Sequence, residues 1–340
     1  MRYGLLGEHL PHSFSKQIHE ALGRYSYELI EVAPGDLDSF LRSRDFAAVN
    51  VTIPYKQAVI PYLTDLTPRA KAIGAVNAIV NRDGKLYGDN TDFGGLEALI
   101  RRMGLDLGGK TALILGTGGT SLTARAVAKD LGARAVYPVS RSGQGGALTY
   151  DRAVREHPDA EVIINTTPAG MYPDLDRSPL DLEPFGNLDG VVDVIYNPLT
   201  TRLVQQARDR DIPAENGLYM LVAQARFSSE LFQGRAIDDA LVERIEATLR
   251  ASMRNVALIG MPGAGKTSTG RALARLVGRP FVDMDAAFVN TTGSGPGLWI
   301  RAALQITSSA SNTPYSSSTV ICVTGSFSVI ARVCASSSSA

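Results

Sequence analysis

Two residues near the amino terminus have the chemistry of a proton-transfer pair. Lys56 ends Asn50-Val-Thr52-Ile-Pro54-Tyr-Lys56, and Asp92 ends Gly88-Asp-Asn90-Thr91-Asp92. Both sit where a loop follows an apolar run. A lysine held by a carboxylate can deliver a proton to an oxygen that is gaining negative charge; alone, each is more often an exposed surface charge. A second candidate is Gly116-Thr117-Gly118-Gly119-Thr120-Ser121, between the run KTALILG and the helical pattern SLTARAVAKDLG. Such glycines let the backbone turn tightly against a pyrophosphate at the positive end of a helix dipole. Ser121 replaces the third glycine, so the spacing by itself suits a structural turn equally well. The next apolar run ends Val139-Ser140-Arg141-Ser142, with no acid to hold a ribose 2′-hydroxyl. Arg141 is well placed for a 2′-phosphate, and the competing reading is a solvated surface arginine. A third candidate, Gly260-Met-Pro-Gly263-Ala-Gly265-Lys266-Thr267, is a complete phosphate-binding loop. Its backbone N–H groups can cradle phosphates, Lys266 can reach the β and γ oxygens, and Thr267 can ligate Mg²⁺, which makes ATP and Mg²⁺ candidate ligands there.

These residues need elements to hold them. Short apolar runs closed by Gly, Pro or Asn alternate with helical patterns: RYGLLG with KQIHEALGRY, YELIEVA with DLDSFLRSR, AAVNVTIP with YKQAVIPYL. That alternation predicts βα units and a parallel sheet. KTALILG, ARAVYPVS, AEVIINTT and GVVDVIYN are apolar enough to be buried on both faces, which predicts a second α/β domain. Residues 217–250 read as helices that pack back on the first domain, and NVALIG opens a third segment. The expected fold class is thus α/β. An α/β substrate domain (1–95, completed by 217–250) joins a Rossmann-like doubly wound domain (96–216), followed by an incomplete phosphate-loop segment (254–287). Residues 288–340 contain no Asp, Glu or Lys, only Arg301 and Arg332 as charges, and clusters of Ser. They are expected to form a low-complexity, disordered tail, with STVICV and FSVIARV as short exceptions.

Composition narrows the partners. The 340 residues are 44% hydrophobic and 20% charged, with 34 basic and 34 acidic side chains, so no bulk charge selects nucleic acid or an anionic membrane. The two cysteines, Cys322 and Cys334, lie in the tail, so no thiolate metal site is expected in the main body. No apolar stretch approaches a membrane span and no secretory leader opens the sequence, which predicts a cytoplasmic protein. His9, His12 and His19 lack an accompanying carboxylate cluster, and packing is favoured over metal ligation. Monomer and homodimer both remain open.

Over residues 1 to about 250 the chain resembles the shikimate dehydrogenases. The resemblance is carried by Gly7 with His12-Ser13-Phe14-Ser15 and His19, the Asn50–Lys56 segment, Gly74-Ala-Val-Asn77, and Asn90-Thr-Asp-Phe-Gly-Gly95. It continues through Asn165-Thr-Thr-Pro-Ala-Gly-Met171, Asp193-Val194-Ile-Tyr196-Asn-Pro198, and Gly217-Leu-Tyr-Met-Leu221 with Gln224. Departures are His9, Lys16, Glu20 and Ser121, and a basic residue common shortly beyond Arg141 is missing. The resemblance implies NADPH-dependent, reversible reduction of 3-dehydroshikimate to shikimate in the chorismate route to aromatic amino acids. It implies that Ser13, Ser15 and Tyr196 bind the substrate carboxylate, and that Thr52, Asn77 and Gln224, with Lys56 and Asp92, take the ring hydroxyls and the reacting oxygen. It also implies cofactor contacts from Gly116 to Thr120, Ser140, Arg141, Val194 and Gly217. Serine at both positions 13 and 15 favours shikimate over quinate. A quinate/shikimate dehydrogenase using NAD is the alternative within the family.

The third segment, with Phe281-Val-Asp283-Met-Asp285, resembles the start of a shikimate kinase. That resemblance implies Asp283 near Mg²⁺ and Asp285 near the substrate hydroxyl, and it stops at about Ala287. The lid and substrate arginines of such a kinase do not appear in the residues that follow, so kinase activity is not expected; a bifunctional dehydrogenase and kinase is the rival reading.

Overall fold

The computed structural model describes residues 2–10, 13–260, 264–283 and 320–324. They divide into two units, residues 1–246 and 247–340. In the first unit, β1 (Tyr3–Gly7), α1 (Ser15–Leu22), β2 (Tyr27–Glu31), α2 (Leu37–Ser43) and β3 (Ala48–Val51) follow the βα pattern. Then come β4 (Asp65–Leu66), α3 (Pro68–Ile73), β5 (Ala78–Arg82), β6 (Lys85–Asp89) and α4 (Thr91–Arg102). The sheet order is β2-β1-β3-β5-β6-β4.

This first sheet is mixed rather than wholly parallel. β1 pairs in parallel with β2 and β3, but β5 runs antiparallel to both β3 and β6. The β5–β6 pairing has a local cause: the two strands form a hairpin whose two turn residues, Asp83 and Gly84, both have positive φ (52° and 77°). A two-residue hairpin needs that conformation to match the strand twist, and Asp-Gly adopts it at low cost.

The second sheet is all parallel, in the order β11-β10-β9-β7-β8. Its elements are β7 (Thr111–Leu115), α5 (Gly119–Asp130), β8 (Ala135–Val139), α6 (Tyr150–Glu156), β9 (Val162–Asn165), β10 (Gly190–Asp193), α7 (Arg202–Arg208) and β11 (Ala214–Glu215). β7, β9 and β10 are buried throughout, as expected of strands covered on both faces. β8 is only half-buried, because it is an edge strand, and Pro138 is tolerated there for the same reason.

Two helices tie the sheets together. α8 (Leu218–Gln233) packs along α4 so closely that a Cβ on Gly95 would lie 2.8 Å from Met220 O, and one on Gly94 2.7 Å from the Phe227 ring. A core of Phe93, Leu96, Ile100, Ile114, Val127 and Met220 runs beneath α4, α5 and α8. α9 (Asp239–Ser252) follows.

The second unit contains β12 (Val256–Gly260), α10 (Lys266–Val277), β13 (Phe281–Asp283) and β14 (Val320–Thr324). Its order is β12-β14-β13, all parallel. Four of the five residues of β14 come from the STVICV run, so this part of the expected tail forms a central strand that pairs with β12. Among the described residues no helix is long and apolar enough to cross a membrane.

Candidate active site

In the first unit the residues of interest gather at the carboxyl ends of the strands. Ser13 and Ser15 follow β1, Thr52 and Lys56 follow β3, and Asn90 and Asp92 follow β6. Asn77 precedes β5, and because β5 is antiparallel its start lies at the same edge, one step past the Asn50–Ala78 pair. The glycine-rich turn follows β7, beside β9, where the strand order of the second sheet reverses. Open α/β sheets bind ligands at such switch points.

Lys56 and Asp92 meet. Lys56 Nζ donates to Asp92 Oδ2 at 2.5 Å, with side chains 14% and 9% exposed, so the pair is shielded yet reachable. Lys56 is fixed at the backbone, its carbonyl accepting from Val76 N–H at 2.8 Å. Asp92 lies in the first turn of α4, where the helix dipole favours a carboxylate. Asn90 caps that helix by accepting from Phe93 N–H, and its amide donates to Ala75 O and Thr123 Oγ1. Asn77 Nδ2 donates to Asp92 Oδ1 at 2.8 Å and lies 3.4 Å from Gln224 Oε1. Lys56, Asp92, Asn77 and Gln224 are therefore one constellation of two charges and two amides.

The same lysine borders the glycine-rich turn. Its Nζ is 3.4 Å from Thr120 Oγ1, and a Cβ on Gly119 would lie 3.3 Å from Lys56 Cβ. Thr117 and Gly118 are exposed at the start of α5, and a Cβ on Gly118 would meet nothing within 4 Å. Ser121 faces inward, its hydroxyl donating to Gly116 O at 2.6 Å, so this serine closes the turn in place of a third glycine. Ser140 Oγ accepts from Gly143 N–H, shaping the loop after β8. Arg141 is exposed on that loop, and its charge reaches Tyr150, whose phenol burial pushes up while Arg141 opposes the shift.

Ser13 Oγ accepts from Ser15 N–H at 3.1 Å at the start of α1, and the intervening Phe14 ring stands 6.0 Å from that of Tyr196. This contact brings the loop after β1 to the end of β10. Thr52 is half-buried and held by Thr52 N–H donating to Leu6 O. Val194 and Gly217 are in intimate contact, since a Cβ on Gly217 would lie 2.0 Å from Val194 O. His9 is exposed, while His19 is fully buried, stacked on Tyr27 at 4.1 Å, with Nδ1 2.7 Å from Tyr25 OH. Burial drives its pKa down to about 3, so it is a neutral packing residue. His12 lies outside the described residues.

Several polar residues at the site carried no expectation of their own. Asn50, Thr91 and Ser228 are buried beside Asn77. Asn50 and Thr91 sit within the matched segments, whereas Ser228 reads only as one polar position of a helix. Asp193, at the end of β10, is fully buried and accepts from Asn165 Nδ2, Thr201 Oγ1 and Ile195 N–H.

In the second unit Gly265 and Lys266 start α10, and Thr267 Oγ1 donates to Asp283 Oδ2 at 3.0 Å. A hydroxyl beside a strand-end carboxylate is a donor set suited to Mg²⁺. Gly263 and Asp285 lie outside the described residues.

The family model described as the shikimate dehydrogenase substrate binding domain matches residues 5–79, and that of shikimate kinase matches residues 262–299, past Ala287. The shikimate dehydrogenase (NADP(+)) of Clostridium beijerinckii is 35% identical over 256 residues, 71% of this chain and 95% of that protein. A chorismate mutase/shikimate 5-dehydrogenase fusion protein from Clostridium acetobutylicum matches in structure with a TM-score of 0.70 and 33% identity, over 74% of this chain and 97% of that one. Shikimate 5-dehydrogenase from Thermus thermophilus, solved in complex with NADP(H) and shikimate, gives 0.66 and 30%, over 73% and 99%. Matched over nearly the whole length of these relatives, the chain belongs to the shikimate dehydrogenase family.

Proposed function

We propose that this chain is an NADP-dependent shikimate dehydrogenase that reversibly reduces 3-dehydroshikimate to shikimate. The observation that carries the reading is the Lys56–Asp92 pair lying against the glycine-rich turn, which puts a proton donor beside a dinucleotide-type site. The residues at that turn fit the cofactor. The open space at Gly118 leaves room for a pyrophosphate at the amino end of α5, and Arg141, with no acid beside it, suits a 2′-phosphate. When bound, the cofactor supplies the hydride.

The chain's own residues do the rest. Lys56 Nζ donates a proton to the carbonyl oxygen as it becomes a hydroxyl, and takes it back in the oxidative direction. Asp92 holds the ammonium on its line of approach. Asn77, Gln224 and Thr52 take ring hydroxyls, and Ser13, Ser15 and Tyr196 take the carboxylate through neutral donors, a set that suits a small polyhydroxy acid. Val194 and Gly217 border the cofactor side. In this reading residues 1–95 with 217–250 form the substrate lobe and 96–216 the cofactor lobe. Residues 254–287 carry a shikimate-kinase-like phosphate loop, and no phosphorylation of shikimate is assigned to them in this reading.

The purified protein should oxidise shikimate with NADP⁺, and Lys56→Ala should lower kcat by about 10² or more, the usual range for a general acid–base group, with a smaller change in KM. A Lys56→Ala variant with near-normal turnover would remove Lys56 from this role.

A further inference from the structure

We propose that Ser228 on α8 is a positioning residue for proton transfer, the hub of a hydrogen-bond chain that runs from Tyr27 to Asp92. The inference rests on the dehydrogenase reading of Lys56 and Asp92. Main-chain groups fix the orientation of the two side-chain amides in the chain. Asn77 Oδ1 accepts from Thr91 N–H at 2.6 Å, so its oxygen faces Thr91 and its Nδ2 must face Asp92. Asn50 Nδ2 donates to Asn77 O at 3.1 Å, and a carbonyl only accepts, so its Oδ1 is left for Tyr27 OH at 2.8 Å.

Ser228 Oγ accepts from Asn50 Nδ2 at 2.7 Å and shares a hydrogen bond with Thr91 Oγ1, also at 2.7 Å, in which either hydroxyl can donate. Thr91 Oγ1 in turn lies 3.1 Å from Asn77 Oδ1 and accepts from Asn77 Nδ2 at 3.0 Å. Tyr27, Asn50, Ser228, Thr91 and Asn77 thus form one connected chain that ends on Asp92, whose second oxygen holds Lys56. Connected hydrogen bonds polarise one another, and here the chain ends on the carboxylate that orients the ammonium. The residues come from β2, β3, α4 and α8 and the segment before β5, so the chain also locks α8 to the strand ends.

Ser228 cannot act by touching substrate, because it is fully buried, as is Tyr27. It acts through Asn77 and Asp92. Ser228→Ala removes the hub and leaves Asn50 Nδ2 with only Asn77 O. Tyr27→Phe removes the head of the same chain on a different element.

The test uses the full chain with shikimate and NADP⁺, reading the single-turnover rate of cofactor reduction and, separately, shikimate affinity by calorimetry without turnover. Ser228→Ala should slow the single-turnover rate by about tenfold, the equivalent of one hydrogen bond, with the shikimate Kd within about twofold of wild type. Tyr27→Phe should also slow it, and the double variant should be no slower than Ser228→Ala, because both cut one chain. An unchanged rate in Ser228→Ala, weakened shikimate binding at an unchanged rate, or losses that multiply in the double variant would each overturn the proposal. If Ser228→Ala does not fold, Tyr27→Phe decides by its own rate-against-Kd split. A wild-type protein that does not oxidise shikimate would instead overturn the dehydrogenase reading, which keeps the two failures distinct.

Discussion

Asp193 shows what a buried charge costs at the end of a parallel strand. Three hydrogen bonds favour its carboxylate, yet desolvation outweighs them and pushes its pKa from 3.8 up to about 6. The folded protein therefore holds a proton that the unfolded chain releases between these values. Stability from this residue is greatest below the unfolded pKa, falls as pH rises through the window, and stays lost above about 6. Asp193→Asn keeps the shape and removes the charge. It should raise the unfolding free energy at pH 7.5 by about 2 kcal/mol, the desolvation gain less one neutral hydrogen bond, and the difference should shrink toward pH 4. Urea titrations at several pH values check this, and a constant difference across that range would contradict it. Lys56 and Asp92 were legible as a pair because residue type and loop position coincide. Asp193 was not, since nothing in Val-Val-Asp-Val distinguishes a buried acid from a strand-end surface charge. Ser228 was equally silent, because its partners are distant in sequence.

At the scale of elements, the site depends on how α8 enters. Gly217 precedes α8 and presses on Val194 so closely that any Cβ would collide with a main-chain oxygen. Gly217→Ala should therefore displace the start of α8 or the end of β10, lowering stability by about 1–3 kcal/mol as overpacking does. Because Gln224 rides on α8, shikimate turnover should fall with it. A variant of wild-type stability and activity would mean that the contact relaxes at no cost. The alternation of strands and helices was readable from apolar periodicity, and so was the helical nature of 217–250. The reversal of β5 was not read, although Asp83-Gly84 carries the signal for it: the apolar runs specify burial, while only the turn chemistry specifies direction. Likewise, ARAVYPVS looks like a covered strand until its place at the sheet edge is known, and Pro138 is the one residue that marks it.

For the whole molecule, every residue assigned to the dehydrogenase site precedes Met253, and α9 ends at Ser252. Truncation after Arg254 leaves these elements intact, so kcat/KM for shikimate should stay within about twofold. Loss of activity in the shortened protein would show that the second unit supports the first. The second unit itself was only partly legible. The phosphate loop and the strand before it are local patterns, but the pairing of Val320–Thr324 between β12 and β13 joins residues far apart in sequence, and no periodicity reports it.

If the Lys56–Asp92 pair beside the glycine-rich turn serves a dehydrogenase that uses NADP, cofactor choice should depend on Arg141. The most direct measurement is the initial rate of shikimate oxidation by the purified full chain with NADP⁺ and NAD⁺ side by side, repeated with Arg141→Ala. The wild type should clearly prefer NADP⁺, and the variant should lose that preference through weaker binding of NADP⁺ with nearly unchanged use of NAD⁺. Equal or better rates with NAD⁺ in the wild type, or no oxidation of shikimate with either cofactor, would contradict this reading.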